Sequence, residues 1–556
     1  MFKKNIKHLQ PNLFGLLNTL PESMQKKAKQ SKEYAFYNLI FRYIDEQIFS
    51  VLFSDVKSRP NAPVNTLVAA LILMSHRQWT FEELFNQIHF NILVKLALGL
   101  DAIDEIPFSP ATIFNFQNRL HKHFTETGEN LLEQVFDKLT AKQLKSLKIK
   151  TSIQRTDSFA AASNIRNYSR LQLLVELLLR IWRVLDSSDQ ERFSQQFAPY
   201  IKHKSSGQFI YSLSREDFPK ELEKLGSLYK WINSHLRPKY KQDVFTVFDR
   251  VYDEHFSVIK NKVHLKSNDQ MHSGCVQSPD DLDAAYRKKN DVHTKGQTIN
   301  IVETAHPDND INLVTDVAVK PVNTNDDVVL NERINVLKEK TPDLNELHSD
   351  AAYGSSVNDR EFEKHKINHI QTAVKGSKRA VNIKIEKYDS QNETGFTVSC
   401  PKQSVKSHKA RKRFKACFDY TVCAGCALGS QCPAIPMKKH RVYYFTNDMY
   451  LLSERLSRLN SIPSERRFLR NNVEATVKEF TCRMPNKKLK VRGAFKALLF
   501  AFSTAMAINY GRIYRMMVSS PDKWAILIQV WLKIFKERWL LQILLRNFLG
   551  LNFRAI

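Results

Sequence analysis

Hydrophobic positions in the first 145 or so residues recur at helical spacing. Val64 to Met74 is strongly apolar, and Trp79 to Leu98 carries Phe81, Leu84, Phe85 and Ile88 at i, i+3, i+4 and i+7. Ser109-Pro110 opens a further helix, with a serine N-cap and proline at the first helical position. Across Ala111 to His121 the pattern turns Ile113, Phe114 and Leu120 inward and leaves Asn115, Gln117, Asn118, Arg119 and Lys122 outward. Helices on either side of the Gly99-to-Phe108 turn make a helix-turn-helix-like DNA reader or a plain helical bundle; spacing alone does not choose.

At Leu147 the period becomes two. Leu147, Ile149, Thr151, Ile153, Arg155 and Asp157 alternate with polar residues, so a strand delivers Asp157 at its C-terminal end on its apolar face. Residues from about 168 to 260 return to helical character, with Leu171, Leu173, Leu174, Leu177 and Leu178 as an apolar band, and read as an insertion. Strand signals resume at Gln297 to Thr304 and, after the turn at His306 to Asp310, at Ile311 to Val319, where Ile311, Leu313, Thr315, Val317 and Val319 share a face. A helix with Leu330, Ile334 and Leu337 follows, then a short strand ending at Asp350. A mixed sheet with a right-handed crossover sets Asp157 and Asp350 at the ends of neighbouring strands. Glu465 to Phe480 is helical, with Phe468, Val473, Val477 and Phe480 available to pack on that sheet.

The chain has 556 residues, more than one core usually supports, so several domains or large insertions are expected. Fifteen glycines are few and favour a helix-rich architecture. A net charge of +27 calls for a polyanionic partner, and basic residues spread along the chain favour nucleic acid over a membrane surface. No apolar h-region follows Met1, and Trp524 to Leu549 is broken by five charges, which reads as amphipathic helices and not a membrane span. Five of the seven cysteines fall within Cys400–Cys432, unlike a secreted disulfide framework, so a reducing cytosol is expected.

Three acids stand out because only a folded core could gather them: Asp157 in Arg155-Thr156-Asp157-Ser158, Asp350 in His348-Ser349-Asp350-Ala351-Ala352-Tyr353-Gly354, and Glu474 in Arg470-Asn471-Asn472-Val473-Glu474. Such carboxylates can hold two hard divalent cations around a phosphate, and in so basic a chain the phosphate is that of DNA. Arg470, one helical turn before Glu474, orients that carboxylate or binds phosphate, and Lys478 lies a turn further on. Asp283, Glu303 and Asp316 are competing acids; Asp316 points away from the apolar face and reads as solvated. His348 alternates onto the face of Asp350 and reads as structurally satisfied. Cys423-Ala-Gly-Cys426 with Cys432 and Cys400 supplies four thiols for a structural zinc, with Cys417 an alternative fourth ligand and leftover free thiols the competing reading. Between them Lys402, Lys406, Lys409, Arg411, Lys412, Arg413 and Lys415 form a basic run, a solvated loop or a phosphate-backbone contact. No phosphate loop, zinc-protease motif or nucleophile-elbow serine is present.

The stretches around Asp157, Asp350 and Glu474, with Lys490 to Lys496 and Ala507-Ile508-Asn509-Tyr510, resemble the DDE transposases of bacterial insertion sequences. Ser58-Arg59-Pro60, Ala97-Leu98-Gly99-Leu100 and the Ser109-Pro110 segment are similar to the helical leader of one branch. The resemblance runs from about residue 50 to 515. It departs from related groups at Arg467, where they often carry a tyrosine. It implies an α/β fold: an RNase H-like mixed-sheet core in 146–164, 290–375 and 440–515, a helical DNA-binding domain in 1–145, a mainly helical insertion in 165–289, a basic cysteine-rich insertion in 376–439 and amphipathic helices in 516–556. It further implies catalysis by Asp157, Asp350 and Glu474 with two Mg²⁺ (or Mn²⁺), strand cleavage at element ends followed by strand transfer, and at least a dimer in the DNA complex. DNA contacts are expected at Arg119, Lys409, Arg411, Lys412, Arg413, Arg470 and Lys478. A nuclease without joining activity and a silent DNA-binding regulator are the alternatives.

Overall fold

The computed structural model describes residues 1–9, 14–54, 56, 59–374, 381–390 and 393–520. Ahead of the first strand lie helices α1 (Glu22–Lys29), α2 (Lys32–Leu39), α3 (Val64–Arg77), α4 (Phe81–Phe90), α5 (Ile92–Ala97), α6 (Pro110–Thr127) and α7 (Leu131–Ser146). Local signals set their ends. Thr80 and Glu83 form a reciprocal capping box at α4, Asn91 caps α5, and Ser109 accepts the Thr112 N–H at α6, with Pro110 first in the helix. Asn91 thereby breaks the Trp79-to-Leu98 stretch in two.

Residues 98–109 join α5 to α6, far more chain than the three or four residues of a helix-turn-helix. Here the arrangement is a bundle. Phe116 of α6 packs on Phe49, and His121 and Phe124 pack on Phe495 with centroids 4.9 and 5.3 Å apart. Phe114 is exposed, contrary to the inward position expected for it, and Phe116 takes that place.

The central sheet holds β1 (Ile153–Ala162), β4 (Ala285–Lys289), β5 (Val292–Thr304), β6 (Val314–Pro321), β7 (Glu346–Ser349) and β8 (Asn368–Gln371); the hairpin of β2 (Phe256–Ile259) and β3 (Lys262–Leu265) stands apart. Its order is β4-β5-β1-β7-β8, with β6 also on β5. β5 runs antiparallel to β1 and to β6, whereas β7 runs parallel to both β1 and β8. Helix α13 (Asp326–Lys340) makes the crossover from β6 to β7. The first strand starts later than alternation suggests. Lys148 has a positive φ and ends α7, so Asp157 sits mid-strand, opposite Ile301 of β5, and not at a strand end.

Between β1 and β4, helices α8 (Arg170–Val184), α9 (Ser187–Ile201), α10 (Ser206–Tyr211), α11 (Phe218–His235) and α12 (Asp243–His255) enclose a hydrophobic core of their own around Leu174, Leu178, Phe197, Tyr229 and Phe248. After β7 come α14 (Ser356–His365) and β8, then a second sheet of β9 (Lys384–Ser390), β10 (Glu393–Ser399), β11 (Ser404–Ala410), β12 (Arg413–Asp419), β13 (Ile435–Pro436) and β14 (His440–Phe445), with α15 (Tyr420–Ala424) between β12 and β13. The basic run is therefore a β-hairpin of β11 and β12 and not a loop, with exposed Arg411 and Lys412 at its tip.

Helices α16 (Asn447–Ser461), α17 (Ser464–Arg467), α18 (Val473–Thr481) and α19 (Ala494–Ser519) close the described chain. The expected Glu465-to-Phe480 helix is broken at Phe468–Asn472. That break exposes Phe468, while Val473 and Phe480 still reach the core and Phe480 meets Phe159 of β1. Helix α19 is apolar on nearly all sides because it is enclosed, lying against β6, α2, α3 and α7. Asn509 on α19 bonds both the N–H and the C=O of Val314, tying the helix to β6.

With α19 on one face of β6, the other face is covered by α7 and α13. Asp316 is in consequence fully buried, and its expected solvation is wrong: Arg333 and Lys340 of α13 bind it, joined by Glu133 and Asp137 of α7. No helix among the described residues is long and apolar enough to cross a membrane. The stretch Trp524 to Leu549 lies outside them, as does Ser58.

Candidate active site

Strand β7 pairs with β1 only as far as Arg155 and His348. Two residues beyond that last pair stand Asp157 within β1 and Asp350 just past the end of β7, so the two carboxylates flank the point where the strands part. Asp350 leaves β7 as a cap, its Oδ1 accepting the Ala352 N–H at 2.8 Å. Asp157 Oδ1 accepts the Ser158 N–H at 2.9 Å, and its Oδ2 takes a bond from Arg470 at 3.0 Å.

Arg470 is held in place by its neighbours. Arg155, two residues before Asp157, is buried, pairs with fully buried Glu303 and donates to the Leu469 carbonyl at 2.8 Å. Glu303 also binds Thr476 of α18 and Arg512 of α19, each at 2.7 Å. One acid that competes with the trio in sequence is thus the anchor that docks α18 beside β1. From there Arg470 reaches Glu474 at 3.8 Å across the helix break. Arg470 touches both carboxylates, with Glu474 two-thirds exposed and Asp157 mostly buried.

Burial pushes the Asp157 carboxyl above its usual range, with Asp350 and Asp326 adding to the rise and Arg470 opposing it. Asp326 is the acid that sequence reasoning missed. First in α13 and mostly buried, it too is raised, by burial foremost and by Asp350 among its neighbours, and its Oδ1 is buried without a hydrogen-bond partner. Acids before a helical run read as ordinary first-turn residues, so spacing carried no signal for it. Ser158, Asn300 and Tyr353 brace the other side: the Tyr353 hydroxyl lies 2.7 Å from Ser158 Oγ, and the Asn300 amide nitrogen is 2.8 Å from that hydroxyl.

Carboxylates beside one guanidinium favour a hard cation, which would offset the burial, and after it the neighbouring carboxylate charge, that raise Asp157 and Asp326. The donor set fits Mg²⁺ or Mn²⁺ in type. Glu474 is exposed and is not gathered with the two aspartates; the one group of three ligand atoms all within 4.8 Å of one another among the described residues is Glu254, His272 and Cys275.

The other expected residues lie elsewhere. Lys478 is exposed on α18. Arg119 is exposed on α6, its guanidinium 5.1 Å from the Phe53 ring centre, beside a cleft it shares with Arg59 and Asn115. Lys409, Arg411, Lys412 and Arg413 are exposed on the hairpin of β11 and β12, where Arg413 stacks 3.7 Å over Tyr444. Cys400, Cys423, Cys426 and Cys432 line one small cavity at the base of the second sheet, and Cys417 does not. Cys426 closes a turn on the Cys423 carbonyl at 3.3 Å, and burial raises the Cys423 thiol, its three partner sulfurs adding. His348 is buried with Nε2 2.7 Å from Glu346 and does not line the site. Asp283 accepts the Ala494 N–H at the start of α19.

Residues 24–119 match the family model described as Transposase domain (DUF772). The match supports a transposase of the insertion-sequence type, and transposition is the function that family implies. It covers the helical unit from α1 into α6 and includes Arg119, whereas the acids and the cysteine cluster lie beyond it. No curated protein and no solved structure matches the chain.

Proposed function

We propose that the chain is a DDE transposase with an RNase H-like core that cuts the ends of its element and joins them to target DNA. The observation that carries the reading is the juxtaposition of Asp157 and Asp350 where β1 and β7 part, with Glu474 linked to Asp157 through Arg470. The sheet order supports it as well: antiparallel β6-β5-β1, then α13 crossing over to parallel β7, with β8 parallel beyond it.

In this mechanism Asp157, Asp350 and Glu474 would hold two divalent ions, with Asp326, whose charge acts on Asp157, a further acid beside them. Bound there, such ions would supply activation of the attacking oxygen and stabilisation of the leaving one. Asp157 is fixed by Ser158 and β1. Glu474 is exposed and able to turn in once cation and DNA arrive, and Arg470 is then freed to meet a phosphate. The nucleophile is water and then the DNA 3′-hydroxyl, so no side chain attacks. The four cysteines hold one structural zinc, their thiols being the soft donors it prefers.

The test is incubation of the protein with duplexes carrying the DNA that flanks its gene, a target plasmid and Mg²⁺. End-to-target joints are expected. Cut ends without joints would assign a nuclease, and binding with no chemistry would assign a regulator.

A further inference from the structure

Where the helical unit meets α19 and the segment leading into it, a cavity of about 220 Å³ opens. Met74, Trp79 and Phe81 line it from one side, Leu499 and Phe500 from the other. Arg483, Lys490 and Lys496 stand in its wall, and no acidic residue among the described ones does. Its size suits one planar ring system better than a whole drug-sized ligand.

Positive charge continues past the cavity. Arg483 donates to the Ser75 carbonyl at 3.0 Å and is close to Arg515. Lys32, at the start of α2, lies 5.5 Å over the Tyr514 ring, and burial together with Arg77, Arg515 and Arg483 holds its ammonium below the ordinary value. The carboxylates nearby are engaged: Glu33 by Arg77, Glu479 by Arg512 and Arg515, Glu83 by its capping box. None of Lys32, Arg483, Lys490 and Lys496 forms a salt bridge among the described residues, with Glu83 near Lys490 and Glu479 near Arg483 the carboxylates whose charge they feel. An apolar, aromatic-walled cavity set in surplus cation matches a molecule that is flat at one end and anionic at the other.

We propose that this seam binds single-stranded DNA, with one base in the cavity against Trp79 and Phe81 and the adjoining phosphates on Arg483, Lys490, Lys496 and Lys32. Stacking on aromatic side chains and cations tracking the backbone are what sequence-tolerant single-strand sites combine. The assignment rests on the transposase reading and adds to it an occupant for a cavity that none of the three acids lines. DNA laid along this junction touches both the helical unit and the closing helices.

The experiment uses the full chain and two probes, a blunt duplex and the same duplex with a short 3′ single-stranded overhang. The overhang is expected to bind roughly 5- to 150-fold more tightly, the range that base-on-aromatic stacking supports, and to quench a fluorescence component that is missing in Trp79→Phe. Because Trp79 is half-buried and its removal can loosen the fold, the exposed pair Lys490→Ala/Lys496→Ala is the second variant. It should lower the single-strand salt slope by up to about 1.4, given about 0.7 for each phosphate contact. Equal binding of both probes without quenching, or an unchanged slope in the double variant, overturns the assignment while leaving the transposase reading standing. Quenching that follows protein concentration without DNA gives the cavity to a second copy and overturns it too. Failure to bind either probe sinks both readings.

Discussion

Asp316, Glu133 and Asp137 face Arg333 and Lys340 where α7 meets β6 and α13, three carboxylates to two cations. The surplus falls on Asp137, whose carboxyl is raised to about 6, by burial first and by Glu133 and Asp316 after it. A folded-state value above the unfolded one, about 3.9, means the protonated form favours folding. That contribution is whole below about pH 4 and is lost as pH rises through about 6. Asp137→Asn mimics the protonated carboxyl permanently. The variant should be more stable than the parent at pH 7 to 8 by about 1–2 kcal/mol, allowing for partial solvent screening, with the gap closing by pH 4. Denaturant melts at the two pH values check this, and a variant less stable at pH 8 would show that Lys340 needs the charge. The same cluster shows where reading single residues from sequence ended. Alternation correctly turned Asp316 away from the apolar face of its strand, but what covers that other face is decided by α7 and α13 across the chain. Asp157 and Asp350 were legible because strand patterns led into them. Asp326 was not, since it differs from a helix-opening acid only through its tertiary neighbours.

At the level of elements, β5, β6, β7 and the crossover helix followed the sequence, because β-branched alternation and the Leu330, Ile334 and Leu337 spacing are strong signals, whereas β1 starts later than its alternation suggests. The misreadings lie at breaks. Residues 465–480 looked like one helix, but the chain kinks at Phe468–Asn472, where Arg155 captures the Leu469 carbonyl. That bond comes from a strand more than 300 residues away and leaves no local trace. The basic run became a hairpin for a related reason: Phe414 and Phe418 face the second core while the cations face water. Its tip juts outward, so Arg411→Ala, Lys412→Ala and Arg413→Ala together should flatten the duplex-DNA salt dependence by up to about three units, at about 0.9 per phosphate contact. Preference for the element's ends should persist. A filter-binding salt series with an unaltered slope would mean the hairpin is only solvated. At the foot of that sheet, the thiols around one cavity lead to about one zinc per chain by elemental analysis after purification without added metal. Protein with no zinc and four freely titrating native thiols there would contradict the site.

Across the whole molecule, α19 does most to join the parts. It packs on the helical unit through α2, α3 and α7, on the sheet through β6, and on α18 through Arg512 and Glu479. The helical unit, the part that matches a transposase domain, is thereby fastened to the strands that carry Asp157 and Asp350. The chain as a whole carries a net charge of +27, and the proposed chemistry belongs to the acids near where β1 and β7 part. The measurement that bears most directly on that assignment is strand transfer by Asp157→Ala, Asp350→Ala and Glu474→Ala, each beside its binding of end DNA. Every variant should lose joining and cleavage by a factor of at least about a thousand, as expected when a metal-held transition state loses a ligand, and should keep end-DNA affinity within a few-fold. Near-normal joining by any one of them would contradict the shared site.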